Sequence, residues 1–71
     1  MTTVAQGLLQ AAGRVPRSEA RLLLAAVICK PKEFLITHPE YTLSDAQASI
    51  FASYLERAQA GEPIPYIVGT Q

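Results

Sequence analysis

Apolar positions recur at helical spacing along most of the chain, and glycines and prolines cut the pattern into short pieces. Near the start, Val4, Ala5, Leu8, Leu9 and Ala12 form one stripe at intervals of three and four. Thr3 precedes it and Gln6 follows three residues later, the reciprocal spacing of a capping box. Gly13 then stands where a helix ends in a left-handed residue. A first helix from about Val4 to Ala12 is the expectation. Gly7 inside it costs about 1 kcal/mol relative to alanine, and simple tolerance is favoured over a close helix crossing.

Arg14 to Arg17 make a turn, with Pro16 suited to the first turn of a second helix. That helix runs to Ile28 or Cys29. Ala20, Leu23, Leu24, Val27 and Ile28 follow the buried-face spacing, while Leu22, Ala25 and Ala26 make other faces apolar too. A helix apolar on most sides belongs in the centre of a bundle. Pro31 interrupts the pattern, and a short third helix from Lys32 to Thr37 is expected, anchored by Phe34, Leu35 and Ile36. Pro39 stops it, because the residue before a proline avoids the helical region.

The fourth helix is the clearest. Ser44 is its N-cap, Asp45 complements the helix dipole, and Gln47 completes a second capping box. Leu43 and Ala48 stand at hydrophobic-staple positions. Ile50, Phe51, Tyr54, Leu55 and Ala58 are expected to form its buried stripe, and Gly61 ends it. In the tail, Pro63 and Pro65 fit the first turn of a short helix whose apolar face is Ile64, Ile67 and Val68, with Gly69 as the stop. Two prolines in three residues equally suit an extended polyproline segment. The pattern predicts an all-α fold: one domain over residues 1–71, a small bundle of about five short helices.

At 71 residues, one hydrophobic core supplies only about 3–5 kcal/mol. Cys29 is the only cysteine and His38 the only histidine, so neither a disulfide nor a Cys/His metal site can add to it. Cys29 is expected to pack as a small hydrophobe, and His38 to sit at a helix end. An unpaired cysteine, and the lack of a basic start and apolar run at the N-terminus, point to the cytoplasm. The longest apolar run, Leu22 to Cys29, is far short of the roughly 20 residues of a membrane helix.

The six basic and six acidic residues balance, which argues against a nucleic-acid binder. They are separated along the chain, however. Arg14, Arg17, Arg21, Lys30 and Lys32 share the first half with one acid, Glu19; Arg57 shares the second with Glu33, Glu40, Asp45, Glu56 and Glu62. The basic group is either a set of solvated faces or an edge that steers an acidic partner. No glycine-rich phosphate loop, nucleophile–base pair or ligand cluster can be recognised. No catalytic, cofactor-binding or metal-binding residue is assigned.

One combination goes further. Glu19-Ala20-Arg21-Leu22-Leu23-Leu24-Ala25 is followed by Lys30-Pro31-Lys32-Glu33-Phe34-Leu35, then by Thr37-His38-Pro39-Glu40-Tyr41-Thr42-Leu43-Ser44. Last comes Arg57-Ala58-Gln59-Ala60-Gly61-Glu62-Pro63-Ile64-Pro65-Tyr66-Ile67-Val68-Gly69. In this order the run resembles the N-terminal domain of the HemK/PrmC family, protein-(glutamine-N5) methyltransferases acting on peptide-chain release factors. The tail is its most specific part. The resemblance implies a helical bundle followed by a Rossmann-like catalytic domain. That domain binds S-adenosylmethionine and carries a glycine-rich loop and an Asn-Pro-Pro-Tyr motif, neither of which occurs in these residues. The chain therefore looks like an excised, non-catalytic domain, a monomer that recognises the release factor. Arg14, Arg17, Arg21, Lys30 and Lys32 are the expected contacts to that partner, and Glu62, Pro63, Tyr66 and Gly69 dock the chain's own catalytic domain. The alternatives are a free-standing helical interaction or nucleic-acid-binding module, and a purely structural folding unit.

Overall fold

Both capping boxes form, and they set where the first and fourth helices begin. In the computed structural model, which describes residues 2–69 and so leaves Met1, Thr70 and Gln71 at the ends of the expected domain outside it, α1 spans Val4–Ala11 and α4 spans Asp45–Gln59. The Gln6 N–H donates to Thr3 Oγ1 at 3.2 Å and the Thr3 N–H returns to Gln6 Oε1 at 2.9 Å. Ser44 and Gln47 repeat the exchange at 3.0 and 2.9 Å. The next two free donors at the start of α1 find acceptors in a distant loop. The Val4 N–H bonds the Tyr41 carbonyl at 2.8 Å and the Ala5 N–H bonds the Pro39 carbonyl at 3.0 Å. A helix start leaves four such donors open, and this loop closes two of them.

The same contact draws the residues entering α1 and α4 alongside each other. Thr2–Thr3 (β1) and Thr42–Leu43 (β2) pair antiparallel, Thr2 opposite Leu43 and Thr3 opposite Thr42. This two-residue ribbon is the one departure from helix among the regular elements described. Thr3, the extended N-cap of α1, belongs to it, and Ser44, the extended N-cap of α4, follows it directly.

Helix α2 (Arg17–Ile28) is the hub. It packs against α1, α3 (Lys32–Thr37), α4 and α5 (Ile64–Val68). Leu23 and Leu24 are fully buried, joined in one core by Val4, Ala11, Leu35, Leu43, Phe51, Leu55 and Ile67. The central placement expected of α2 is what the structure has.

The stripe on α4 departs from the expected one at Ile50, which is left exposed at its edge, beside the buried Phe51, and the stripe on α1 departs further. Its buried residues are Val4, Gly7 and Ala11, with Leu8 packed beside them, whereas Ala5 and Ala12 are exposed and Leu9 is 76% exposed. Two stripes on this helix satisfy the same spacing, and the inward one is carried by small residues. Gly7 faces the core, where simple tolerance holds: a Cβ there would lie 3.5 Å from Phe51 Cε2 and 3.7 Å from Leu24 and Leu43 methyl carbons. Those are ordinary contact distances, so a methyl group also fits.

Helices α2 and α4 end in the same hydrogen-bond motif. After α4, the Gly61 N–H bonds the Ala58 carbonyl at 3.0 Å and the Glu62 N–H bonds the Arg57 carbonyl at 3.2 Å, with Gly61 at φ +97°. After α2, the Cys29 N–H reaches Ala26 at 3.3 Å and the Lys30 N–H reaches Ala25 at 3.1 Å. Here Cys29 takes the left-handed position at φ 58°. That turn carries its side chain into solvent, so Cys29 does not pack as a small hydrophobe. The tail is helical rather than extended, because the Pro63 carbonyl accepts from both the Tyr66 and Ile67 N–H groups and Ile67 is fully buried.

Two stability changes follow. Leu24→Ala should lose about 2–5 kcal/mol in denaturant unfolding, comparable with the whole stability of so small a core. Cys29→Gly should gain. A left-handed L-residue costs about 1–2 kcal/mol, and the greater freedom of glycine in the unfolded chain offsets roughly half of that. A thermal midpoint that rises by a few degrees is the expected result; a fall would show that the Cys29 turn is unstrained.

Candidate partner-binding surface

The five cations of the expected basic edge have different immediate surroundings. Pro16 starts α2 with Arg17 as its first residue, and Arg21 lies one turn further along. Arg14 sits in the preceding turn, and its Nε and Nη2 groups donate to Gln59 Oε1 at 2.9 and 2.6 Å. It ties the α1–α2 turn to the end of α4. Lys30 Nζ lies 5.7 Å from the centre of the Phe34 ring, within reach of a cation–π attraction. On the same ring, His38 stacks at 4.3 Å, and Tyr41 meets it edge-on at 5.3 Å. His38 is the C-cap of α3, the helix-end place expected of it.

Arg21 and Lys32 do come together. They line an open groove of about 250 Å³ between α2 and α3, with Ser18, Leu22, Glu33 and Ile36. Leu22 is 40% exposed and Ile36 is 65% exposed. Ile36 was expected as a core anchor. Helix α3 has fewer than two turns, and Leu35 takes its inward position, which leaves the neighbouring Ile36 outside. The two aliphatic side chains are the part of this surface that the sequence reading missed. Its available signal was the excess of apolar residues around α2, more than its neighbours can cover.

None of these five cations has an ion-pair partner among the described residues. The ion pair found there is Arg57–Glu62, with Nη2 at 2.9 Å and Nε at 3.1 Å from Glu62 Oε1. The hydrogen bonds that Arg57 donates to the Glu62 carboxylate raise its pKa above its already high ordinary value, so Arg57 stays cationic at any working pH. Of the four expected docking residues, three have structural duties. Glu62 holds Arg57, and Pro63 is the N-cap of α5. Gly69 closes α5 with its N–H on the Pro65 carbonyl at 3.0 Å, where a Cβ would approach that oxygen to 2.7 Å. Tyr66 is 69% exposed and faces outward.

A third surface, lined by Thr2, Gln6, Leu9 and Gln10, carries no charge. Among the described residues, no three or more His, Cys, Asp or Glu side chains gather as metal ligands, and no helix is long and apolar enough to cross a membrane. The Arg57–Glu62 link spans the turn that sets α5 in place. Glu62→Ala should therefore speed hydrogen exchange at the Tyr66 and Ile67 amides without changing exchange at Leu23 and Leu24. Unaltered exchange in α5 would show that Ile67 burial alone holds it.

Residues 2–69 match the family model described as the PrmC N-terminal domain. Over 54 residues, 76% of this chain and 19% of the relative, the sequence is 48% identical to a release factor glutamine methyltransferase of Aliivibrio fischeri. It is 39% identical over 56 residues to the enzyme of that name from Coxiella burnetii, covering 79% of this chain and 20% of the relative. It is also 43% identical over 56 residues to a bifunctional methyltransferase of Rickettsia bellii, covering 79% of this chain and 10% of the relative. No solved structure matches. The chain thus spans about a fifth or less of the length of these relatives. A match over all the described residues places this chain in the PrmC N-terminal domain family.

Proposed function

We propose that this domain recognises the release factor for an S-adenosylmethionine-dependent methyltransferase, a cytoplasmic monomer. Its parent enzyme methylates N5 of the glutamine in the Gly-Gly-Gln loop of peptide-chain release factors. The observation that carries this reading is the family match over residues 2–69, supported by relatives named release factor glutamine methyltransferase. The described residues do not suit the cofactor: they bury no polar or charged side chain that could hold it, and their glycines serve helix ends and one core-facing position. In this reading the cofactor and the methyl transfer belong to a catalytic domain elsewhere in the parent chain.

The physical case for a recognition domain is one of area. A three-residue loop offers little surface to distinguish one protein from another. A second module that grips the same substrate raises the effective concentration of the loop at the reacting centre. In this reading the basic edge of Arg14, Arg17, Arg21, Lys30 and Lys32 meets the release factor. Tyr66 touches the catalytic domain, on an α5 whose direction is held by Glu62, Pro63 and Gly69.

Such binding acts on KM more than on kcat. Removing residues 2–69 from the full-length enzyme should raise KM for intact release factor by about tenfold or more. Methylation of a short Gly-Gly-Gln peptide should be unchanged, which also shows that the remaining domain is folded. Reversing the charge of Arg14 and Arg17 in the full-length enzyme should raise KM in the same direction. Equal kinetics on intact release factor in both variants would leave the domain a structural role only.

A further inference from the structure

We infer that the groove between α2 and α3 seats an amphipathic segment of the release factor, with an aliphatic side chain between Leu22 and Ile36 and flanking carboxylates on Arg21 and Lys32. The inference rests on the release-factor reading above and adds to it the surface and the chemistry of the contact.

Three observations lead there. The first is shape. At about 250 Å³ the groove is smaller than the roughly 300–1,000 Å³ of ordinary small-molecule sites, and it is open along one side. It suits a side chain presented by another protein rather than an enclosed ligand. The second is composition. Leu22 and Ile36 come from different helices and are both substantially exposed on one groove, unlike aliphatic residues scattered singly over a surface. Arg21 and Lys32 flank them, giving the apolar centre and polar rim of a protein interface. The third is charge. Arg21 and Lys32 have no ion-pair partner among the described residues, whereas Arg57 has Glu62. Unneutralised cations beside an apolar seat favour a partner that brings carboxylates. Glu33 is the acid in the lining. It repels a carboxylate placed on its side of the groove and so selects the register of the bound segment. The surface around Leu9 has a more exposed aliphatic residue, but its neighbours Thr2, Gln6 and Gln10 carry no charge with which to choose a partner.

The test is the Kd of the full-length protein for purified release factor, measured by calorimetry at several salt concentrations. The double variant Arg21→Glu/Lys32→Glu should raise Kd at least about tenfold at low salt, with the difference shrinking as salt screens it. Ile36→Asp should raise Kd by a similar factor, and Leu9→Asp should leave it unchanged. Should the double variant fail to fold, Ile36→Ser alters a side chain already in solvent and decides alone. Wild-type binding with every groove variant within about twofold of it would overturn the groove assignment and leave the release-factor reading standing. No binding by the wild-type protein would instead remove that reading, and this inference with it.

Discussion

Leu23 and Leu24 point to different sides of α2, yet both are completely removed from water. That is possible only because α2 has a neighbour on nearly every side. Helix α1 and the start of α4 bring Val4, Gly7 and Phe51 toward it, α3 brings Leu35, and α5 brings Ile67. Burial of apolar surface contributes about 25 cal/mol per Å², and in so short a chain only a shared central helix can accumulate enough of it. Each of the other four helices packs against α2, and α5 is also held on α4. Their lengths and crossings follow from covering it.

Covering α2 with short helices multiplies helix ends, and each end exposes backbone groups that need partners. Two capping boxes, two helix C-terminal turns with the same bonding pattern, and the Pro39 and Tyr41 carbonyls supply many of those partners. The Pro39–Tyr41 loop serves a second purpose. By accepting from the first donors of α1 it joins the chain's start to the entrance of α4, and the β1–β2 ribbon is the by-product. A lone two-stranded ribbon of that size has no independent stability; it persists because the helices that follow both strands are fixed.

What could be read in advance divides along the range of the interactions. Thr3 with Gln6 and Ser44 with Gln47 were legible because a capping box is a relation between residues three apart. The turn at Gly61 and the apolar wealth of α2 were legible for the same local reason. The inward face of α1 was not, since Val4-Gly7-Leu8-Ala11 and Ala5-Leu8-Leu9-Ala12 fit one periodicity equally well, and only contact with Phe51, Leu24 and Leu43 chooses between them. Cys29 misled because its residue type favours burial while its position ends a helix. The basic edge was visible as composition, but its division was not. Nothing local indicates that Arg14 bonds Gln59, forty-five residues away.

That division has a consequence for how the surface can act. Arg14 and Lys30 are held in place by Gln59 and by an aromatic ring. Their charges still add to the long-range field that draws an acidic partner in. Arg21 and Lys32 have no such anchors and stand beside exposed aliphatic carbon, where a partner's carboxylate would be partly desolvated on arrival. An ion pair in that setting is screened less than one on open surface. Steering and short-range recognition can thus belong to different members of one basic group. The core sets this arrangement, because the face of α2 that α3 only partly covers is the one on which Leu22 remains exposed.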